Sequence, residues 1–502
     1  MKGYATFFLI AVMSLGLVFL LVTRSRTAHD APAEVIEVVA ASDAGDGGAD
    51  GGVDASADAA LVEAAAAKPV ERPLRVTALG WELVAAGVAL TAPDGGAIAT
   101  NLELAPETSL EAVEARLARG GSDPVGADVA ILPLPAFVQA YDRLRALDPR
   151  AFVVVGFSRG REEVHAAPGA LLKAPPAADE VKVVALGPST SVDATAKAAG
   201  SESATALGLF ALDLLGVPGA RVRMVAPGAP EAKSALLSAI VRGAADERKL
   251  AFSTADASRL VPIVAIAPKA QIDANEAKLR DFARTWLDGI ERARKDASGI
   301  ARRLANKEAL PLAAGVGGAP EAIALLDRLG QVEPAGLLAQ RSWIGTTATG
   351  PVTLETLAQR TWVLTRAGGL TTSAAPSPLP IDDRIANAIA PAPSPRPAAV
   401  AGDAGGADAG AFGALPASGT PLLVYRAVDP AADATAVAAQ IGFLAGVFEH
   451  AGFRVSAKGG DKAAKAIAAA ARDGFAIDPK RLATSVAEPA GAFAAVEIIS
   501  LP

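Results

Sequence analysis

Residues Ala127–Gly160 read ADVAILPLPAFVQAYDRLRALDPRAFVVVGFSRG, and this stretch decides the fold class. Val129–Leu132 is an uninterrupted apolar run of the kind a fully buried strand needs. Prolines 133 and 135 break the chain, a short amphipathic helix follows, and Phe152–Val155 forms a second apolar strand. Strand, helix and strand in this order predict an α/β unit built on a largely parallel sheet. The Gly156-Phe157-Ser158-Arg159-Gly160 turn then falls at the carboxyl end of a strand, where open α/β sheets place their ligands.

The same alternation extends outward over 73–390. Strands are expected at Leu74–Leu79, Val181–Leu186, Arg221–Val225, Leu250–Ser253 and Val261–Ile266. Helical patterns occupy Ser109–Arg119, Ala194–Leu215, Glu231–Arg242 and Asn275–Lys295. The last sets Ala277, Leu279, Phe282, Ala283, Trp286, Leu287 and Ile290 on one face. The loops after Leu79, Leu132, Val155, Leu186 and Ser253 are therefore the places to look for function.

Composition narrows the function classes. The chain of 502 residues is long enough for two or three domains, and its net charge of −7 leaves no electrostatic footprint for nucleic acid. Without cysteine it has no disulfide, no thiol nucleophile and no Cys-ligated metal. Its three histidines, His29, His165 and His450, are too dispersed to suggest a zinc site. Nothing in the sequence asks for a cofactor.

Residues 1–27 read as a membrane anchor, because Tyr4–Thr23 is uncharged and apolar and spans a bilayer at about 1.5 Å per residue. Residues 28–72 read as a tether; Asp43, Asp46, Asp50, Asp54 and Asp58 lack the alternate-position spacing of a calcium loop. Residues 391–421, rich in Pro, Ala and Gly, form a second linker ahead of a small unit at 422–502.

Several segments of the main body resemble type II periplasmic solute-binding proteins, in the group serving nitrate, sulfonate, taurine and thiamine-precursor importers. They are Leu74–Glu82, Ala127–Ile131, Val181–Leu186 followed by Ser201-Glu202-Ser203, Phe252–Asp256, the helix Leu279–Arg294, and Gln359–Trp362 with Arg366–Leu370. The resemblance implies two α/β lobes over 73–390 that close on a small, anionic solute and deliver it to an ABC permease in the inner membrane. It further implies a periplasmic location and no catalysis. Gly80, Trp81 and Glu82, Pro133 and Leu134, and Ser158 with Arg159 would face the solute from the first lobe, and Ser201, Ser203 and Asp256 from the second. Each has a purely structural alternative: Trp81 as core, Arg159 and Arg161 as a solvated helix start, Ser201 as an N-cap, Ser203 as an ordinary first turn, Asp256 as a loop cap.

The Gly-Phe-Ser-Arg-Gly turn also matches the nucleophile elbow of a serine hydrolase. Ser158 would then need a histidine base held by a carboxylate. His165 lies seven residues on, within the same expected helix, and His450 lies beyond the second linker. The base is missing, so hydrolysis ranks below binding.

The terminal unit reads as strand Leu422–Val428, helix Ala432–His450, strand Phe453–Ser456, helix Lys462–Ala471 and strand Ala494–Ile499. This βαβαβ order, with Gly474–Leu482, resembles an OmpA-like domain, which implies an envelope scaffold contacting peptidoglycan. The family's Asp and Arg ligands have no clear counterpart here: Ala463 falls near the arginine position.

Overall fold

The run Val129–Pro133 is buried at every position, as a strand covered on both faces must be. The computed structural model describes residues 72–91, 102–174, 181–186, 201–226, 228–244, 246–308, 310, 319–344, 350–390, 415, 419–429 and 431–501. The segment expected to cross a membrane, residues 4–23, lies outside the described residues, as does most of each linker. Among the described residues no helix is long and apolar enough to cross a membrane.

The first lobe opens with β1 (Leu74–Leu79), α1 (Ala85–Ala89), β2 (Leu102–Glu107), α2 (Leu110–Arg119), β3 (Val129–Pro133), α3 (Leu134–Leu144) and β4 (Pro149–Ser158). Ser109 starts α2 by accepting a hydrogen bond from the Ala112 N–H at 3.2 Å. The chain then crosses to β5 (Glu162–Ala166), β6 (Val181–Leu186), α4 (Glu202–Leu214), β7 (Val222–Val225), β8 (Leu237–Val241) and β9 (Lys249–Ser253). It returns through β10 (Pro262–Pro268), α5 (Lys269–Lys295), α6 (Ala297–Ala305), α7 (Ala322–Leu329), β11 (Val332–Pro334), α8 (Gln340–Trp343), α9 (Leu354–Ala367) and α10 (Arg384–Ile389).

The two sheets run β11-β4-β10-β3-β1-β2 and β7-β6-β8-β5-β9. In the first, β1 pairs in parallel with β2 and β3, while β10 is antiparallel to β3 and β4. In the second, β6 pairs in parallel with β7 and β8, while β5 is antiparallel to β8 and β9. Each sheet thus has a reversed strand, β10 in the first and β5 in the second, adjoining the crossover to the other sheet; in the first sheet β11, antiparallel to β4, is reversed as well. This is the two-lobed α/β architecture implied by the solute-binding resemblance.

Two segments read as helical are strands. Leu237–Val241, expected inside a helix over Glu231–Arg242, follows a short 3-10 turn as β8 and is buried throughout. Glu162–Ala166, expected to begin a helix after the Ser158 turn, is β5. Segments of five residues, one mostly apolar and one charged, carry no helix-or-strand signature of their own, so pairing decides them.

Two apolar cores flank the first sheet. On one side Leu279, Phe282, Trp286 and Leu287 of α5 pack on Val76, Ile131, Val153 and Ile263, using the face read from the sequence. The core on the other side runs from Leu132 and Val154 through Phe210 of α4 to Leu444 and Phe448 of the C-terminal unit. That unit holds β12 (Leu423–Ala427), α11 (Ala434–Val447), β13 (Ala451–Ala457), α12 (Gly460–Phe475), β14 (Leu482–Thr484) and β15 (Ala494–Ser500), in sheet order β12-β15-β13-β14. The short β14 departs from the expected βαβαβ order.

Candidate functional site at the crossovers

Because each lobe adjoins a reversed strand, the chain passes between the sheets at 159–161 and again at 254–261. These crossovers are laced together. Ser158 N–H donates to Val261 O at 2.9 Å, Thr254 N–H to Glu162 O at 3.0 Å, and Gly160 N–H to Thr254 Oγ1 at 2.9 Å. The Glu162 carboxylate accepts from both Ser158 Oγ and Thr254 Oγ1, the latter at 3.1 Å. Glu162 is only 1 % exposed, which makes it the buried centre of the crossing.

Arg161 joins this crossing to the first lobe. Its Nη1 donates to Glu82 Oε1 at 2.7 Å and its Nε lies 3.9 Å from Glu162 Oε1. Burial works against the Arg161 charge, but Glu82, Glu162 and Glu202 outweigh it and hold the guanidinium above its ordinary range. Glu202 belongs to the first turn of α4 in the second lobe, so both lobes supply charge to this point. Glu82 reaches it because β1 ends in a sharp turn at Gly80, where φ is +122° and a Cβ would sit 2.5 Å from Glu82 Oε1. Only glycine meets both demands.

The other candidates fall into four groups. Trp81 and Leu134, each 1 % exposed, are packed in the apolar cores, and Pro133 ends β3 directly before α3. Ser158 is the last residue of β4 and is tied to Glu162; Asp256 accepts from the Ser253 N–H at 2.9 Å and so closes the turn after β9. Arg159 is exposed and lies 3.5 Å from Glu333. Ser201 stands at the N-cap of α4 without a side-chain cap, and Ser203 is buried in the first turn. The loop after Leu186 lies outside the described residues.

The elbow geometry required of a hydrolase does not form at Ser158. A strand follows it rather than a helix, and its hydroxyl donates to a glutamate. His165 bonds instead to Glu163 and to Arg248 O, at 2.8 and 3.1 Å. Sequence reading missed the central pair Arg161 and Glu162. Their signal was the charge-dense run Arg159-Gly-Arg-Glu-Glu163 between apolar strands, which reads equally well as a solvated helix start.

Burial pushes the Glu162 carboxyl above its ordinary range, more than Arg161 and the two hydroxyls pull it down. A carboxyl whose folded pKa is raised favours the fold below its unfolded pKa and loses that contribution as pH rises through the folded value. Glu162→Gln, which keeps an acceptor for Ser158 and Thr254, is therefore expected to raise the melting temperature at neutral pH. The gain should vanish near about pH 4, the ordinary glutamate range. A variant equally or more stable than the wild type by the same margin at both pH values would contradict this assignment.

No protein-family model and no curated protein matches this chain. Among solved structures, the periplasmic aliphatic sulphonate binding protein SsuA from Escherichia coli is similar, with a TM-score of 0.38, 14 % identity, and coverage of 63 % of this chain and 92 % of that one. The alkanesulfonate-binding protein SsuA from Xanthomonas axonopodis pv. citri, bound to MOPS, gives a TM-score of 0.36 at 15 % identity, covering 61 % and 95 %. The desulfurization enzyme DSZB gives 0.32 at 12 % identity, covering 63 % and 98 %. At these TM-scores the likeness says nothing of what this chain binds.

Proposed function

We propose that the chain is a non-catalytic binding protein that holds a small solute where its two lobes meet and passes it to an ABC-type permease. The observation that supports this reading is Arg161. It stands on the crossover itself, receives charge from both lobes, and among the described residues hydrogen-bonds through its side chain only from Nη1, to Glu82. Its other guanidinium donors are available to a guest, and closure about such crossovers is an established way to enclose one. A location in the periplasm, tethered by residues 4–23, belongs to the same proposal. The expected anionic solute loses support here, because three glutamates share one arginine.

The test is a thermal-shift screen of amines, amino acids, sulfonates and carboxylates against the full chain. A hit whose affinity falls at least tenfold in Arg161→Met supports the proposal; a screen without any hit overturns it.

A second reading, an envelope scaffold that contacts peptidoglycan, is favoured by one specific observation. A single apolar core joins Leu132 of the first lobe, Phe210 of the second and Phe448 of the C-terminal unit, and such packing resists lobe motion. Co-sedimentation with purified peptidoglycan, in the absence of any solute hit, would establish that reading instead.

A further inference from the structure

The first lobe holds an apolar cavity of about 240 Å³ between its sheet and the helices that return over it. Its inner wall is Ile131, Val155 and Ile263 of three neighbouring strands, faced by Trp286 of α5, and all four residues are at most 4 % exposed. The outer end is different: Arg294 of α5, Leu326 of α7 and Gly330 line the same cavity and are exposed. A packing void sealed in the core would have no exposed lining residue. This cavity runs from the core to the surface, which gives a guest a way in.

Small residues stand where larger ones would have closed the space. Ala85 and Ala86 of α1, Ala293 of α5 and Ala297 of α6 all line it. An apolar space left empty costs stability in proportion to its volume, so an occupant that fills it stabilises the fold. An apolar cavity of about 150 Å³ holds benzene, so this one has room, in proportion, for about nine or ten carbon atoms.

The lining also sets the polarity of the guest. Its two charged side chains are Glu82, bonded to Arg161 at 2.7 Å, and Arg294 at the open end. The inner wall is hydrocarbon and an indole, so an ionised group carried inward would lose its hydration without gaining a partner. We propose that the first lobe carries a ligand site of its own for an uncharged apolar molecule, a single ring with a short alkyl chain or two fused rings, seated between Trp286 and the sheet. This site goes beyond the solute binding described above and does not depend on it. None of the lining residues belongs to the second lobe or to the crossovers at 159–161 and 254–261.

Isothermal titration of the full chain with propylbenzene, and with 3-phenylpropionate and 3-phenylpropylamine as anionic and cationic analogues, tests this. Propylbenzene is expected to bind at least tenfold more tightly than either ion. Ala293→Leu, which fills the inner space from α5, should abolish propylbenzene binding and raise the melting temperature of the unliganded protein. Leu326→Trp, which narrows the open end from an exposed position on α7, should weaken binding at least tenfold and decides the matter if Ala293→Leu fails to fold. Propylbenzene binding kept by both variants places the hydrocarbon elsewhere and overturns the proposal. Absence of propylbenzene binding overturns it too, as does equal or tighter binding of either ion. None of these outcomes bears on a solute held between the lobes, whose test is the loss of affinity in Arg161→Met.

Discussion

Replacing Arg481 by leucine is expected to destabilise the C-terminal unit by about 3 kcal/mol, roughly 1 for each of three buried carbonyls that lose a donor. Arg481 is 9 % exposed. Its Nε donates to Ala451 O at 2.7 Å, and its Nη2 donates to Phe448 O at 2.7 Å and Ala445 O at 3.1 Å. Two of these carbonyls lie at the end of α11, where helix carbonyls lack intrahelical partners and the helix dipole favours a cation. The third begins β13, so the guanidinium ties the helix end to the strand that follows. Burial pulls its pKa down to about 10, which still leaves it charged at neutral pH. The Phe453 ring, 5.4 Å from the guanidinium carbon, adds a cation–π contact. Leucine would match the apolar surroundings but take the charged donor from all three carbonyls, of which Phe448 O keeps the Ala451 N–H at 3.1 Å, whereas Arg481→Lys keeps the charge and should restore part of the loss. Urea unfolding followed by circular dichroism measures both. A loss under about 1 kcal/mol for the leucine variant would mean water or backbone partners replace the guanidinium.

How far the sequence reaches is clearest from segments that succeeded beside ones that failed. Leu74–Leu79 and Val181–Leu186 were legible to the residue as β1 and β6, since short, largely apolar runs centred on Val and Thr favour strands. The buried face of α5 was legible because it is long enough for the 3.6-residue period to show. Leu102–Glu107 was not read as a strand at all: it carries Glu103, Pro106 and Glu107 and is held as β2 by its register with β1 and by Arg75 and Arg116 on its acids. Such support is tertiary and leaves no local trace. The site divides the same way. The loop after β1 and the Ser158 turn were identified from strand ends alone. That Arg161 and Glu162 would meet at the crossover follows only once the chain is seen to pass between two sheets there. The reach of Glu82 to Arg161 depends on a Gly80 turn whose outcome no spacing rule encodes.

Arg259→Ala is expected to cost about 3 kcal/mol, counting about 1 for each of two partly exposed ion pairs and about 1 for stacking on aromatic rings. The residue sits on the second crossover and touches three parts of the molecule at once. Its Nη2 meets Glu333 of β11 at 2.8 Å, and its Nε lies 2.9 Å from Glu449 of the C-terminal unit, as an ion pair without hydrogen-bond alignment. Its guanidinium carbon stands 4.6 Å from the Phe157 ring and 5.7 Å from Trp343. Its backbone N–H donates to Val447 O at 3.2 Å, beside a contact from Ser258 Oγ to Glu449. The C-terminal unit is thereby braced against the very segment about which the lobes would turn. Phe448, stacked on Phe210 and tilted against Phe252, extends the brace into the second lobe. Arg259→Lys keeps a charge but cannot stack as a plane while meeting two carboxylates, so an intermediate loss is expected. Hydrogen exchange separates bracing from mere stability. If the C-terminal unit stiffens the crossovers, the Ser158 and Thr254 amides, which donate across the crossing, should exchange faster in Arg259→Ala by more than the global loss explains. Unchanged protection at those two amides would mean that the C-terminal unit rides on the second lobe without restraining the hinge, and lobe closure would then proceed independently of it.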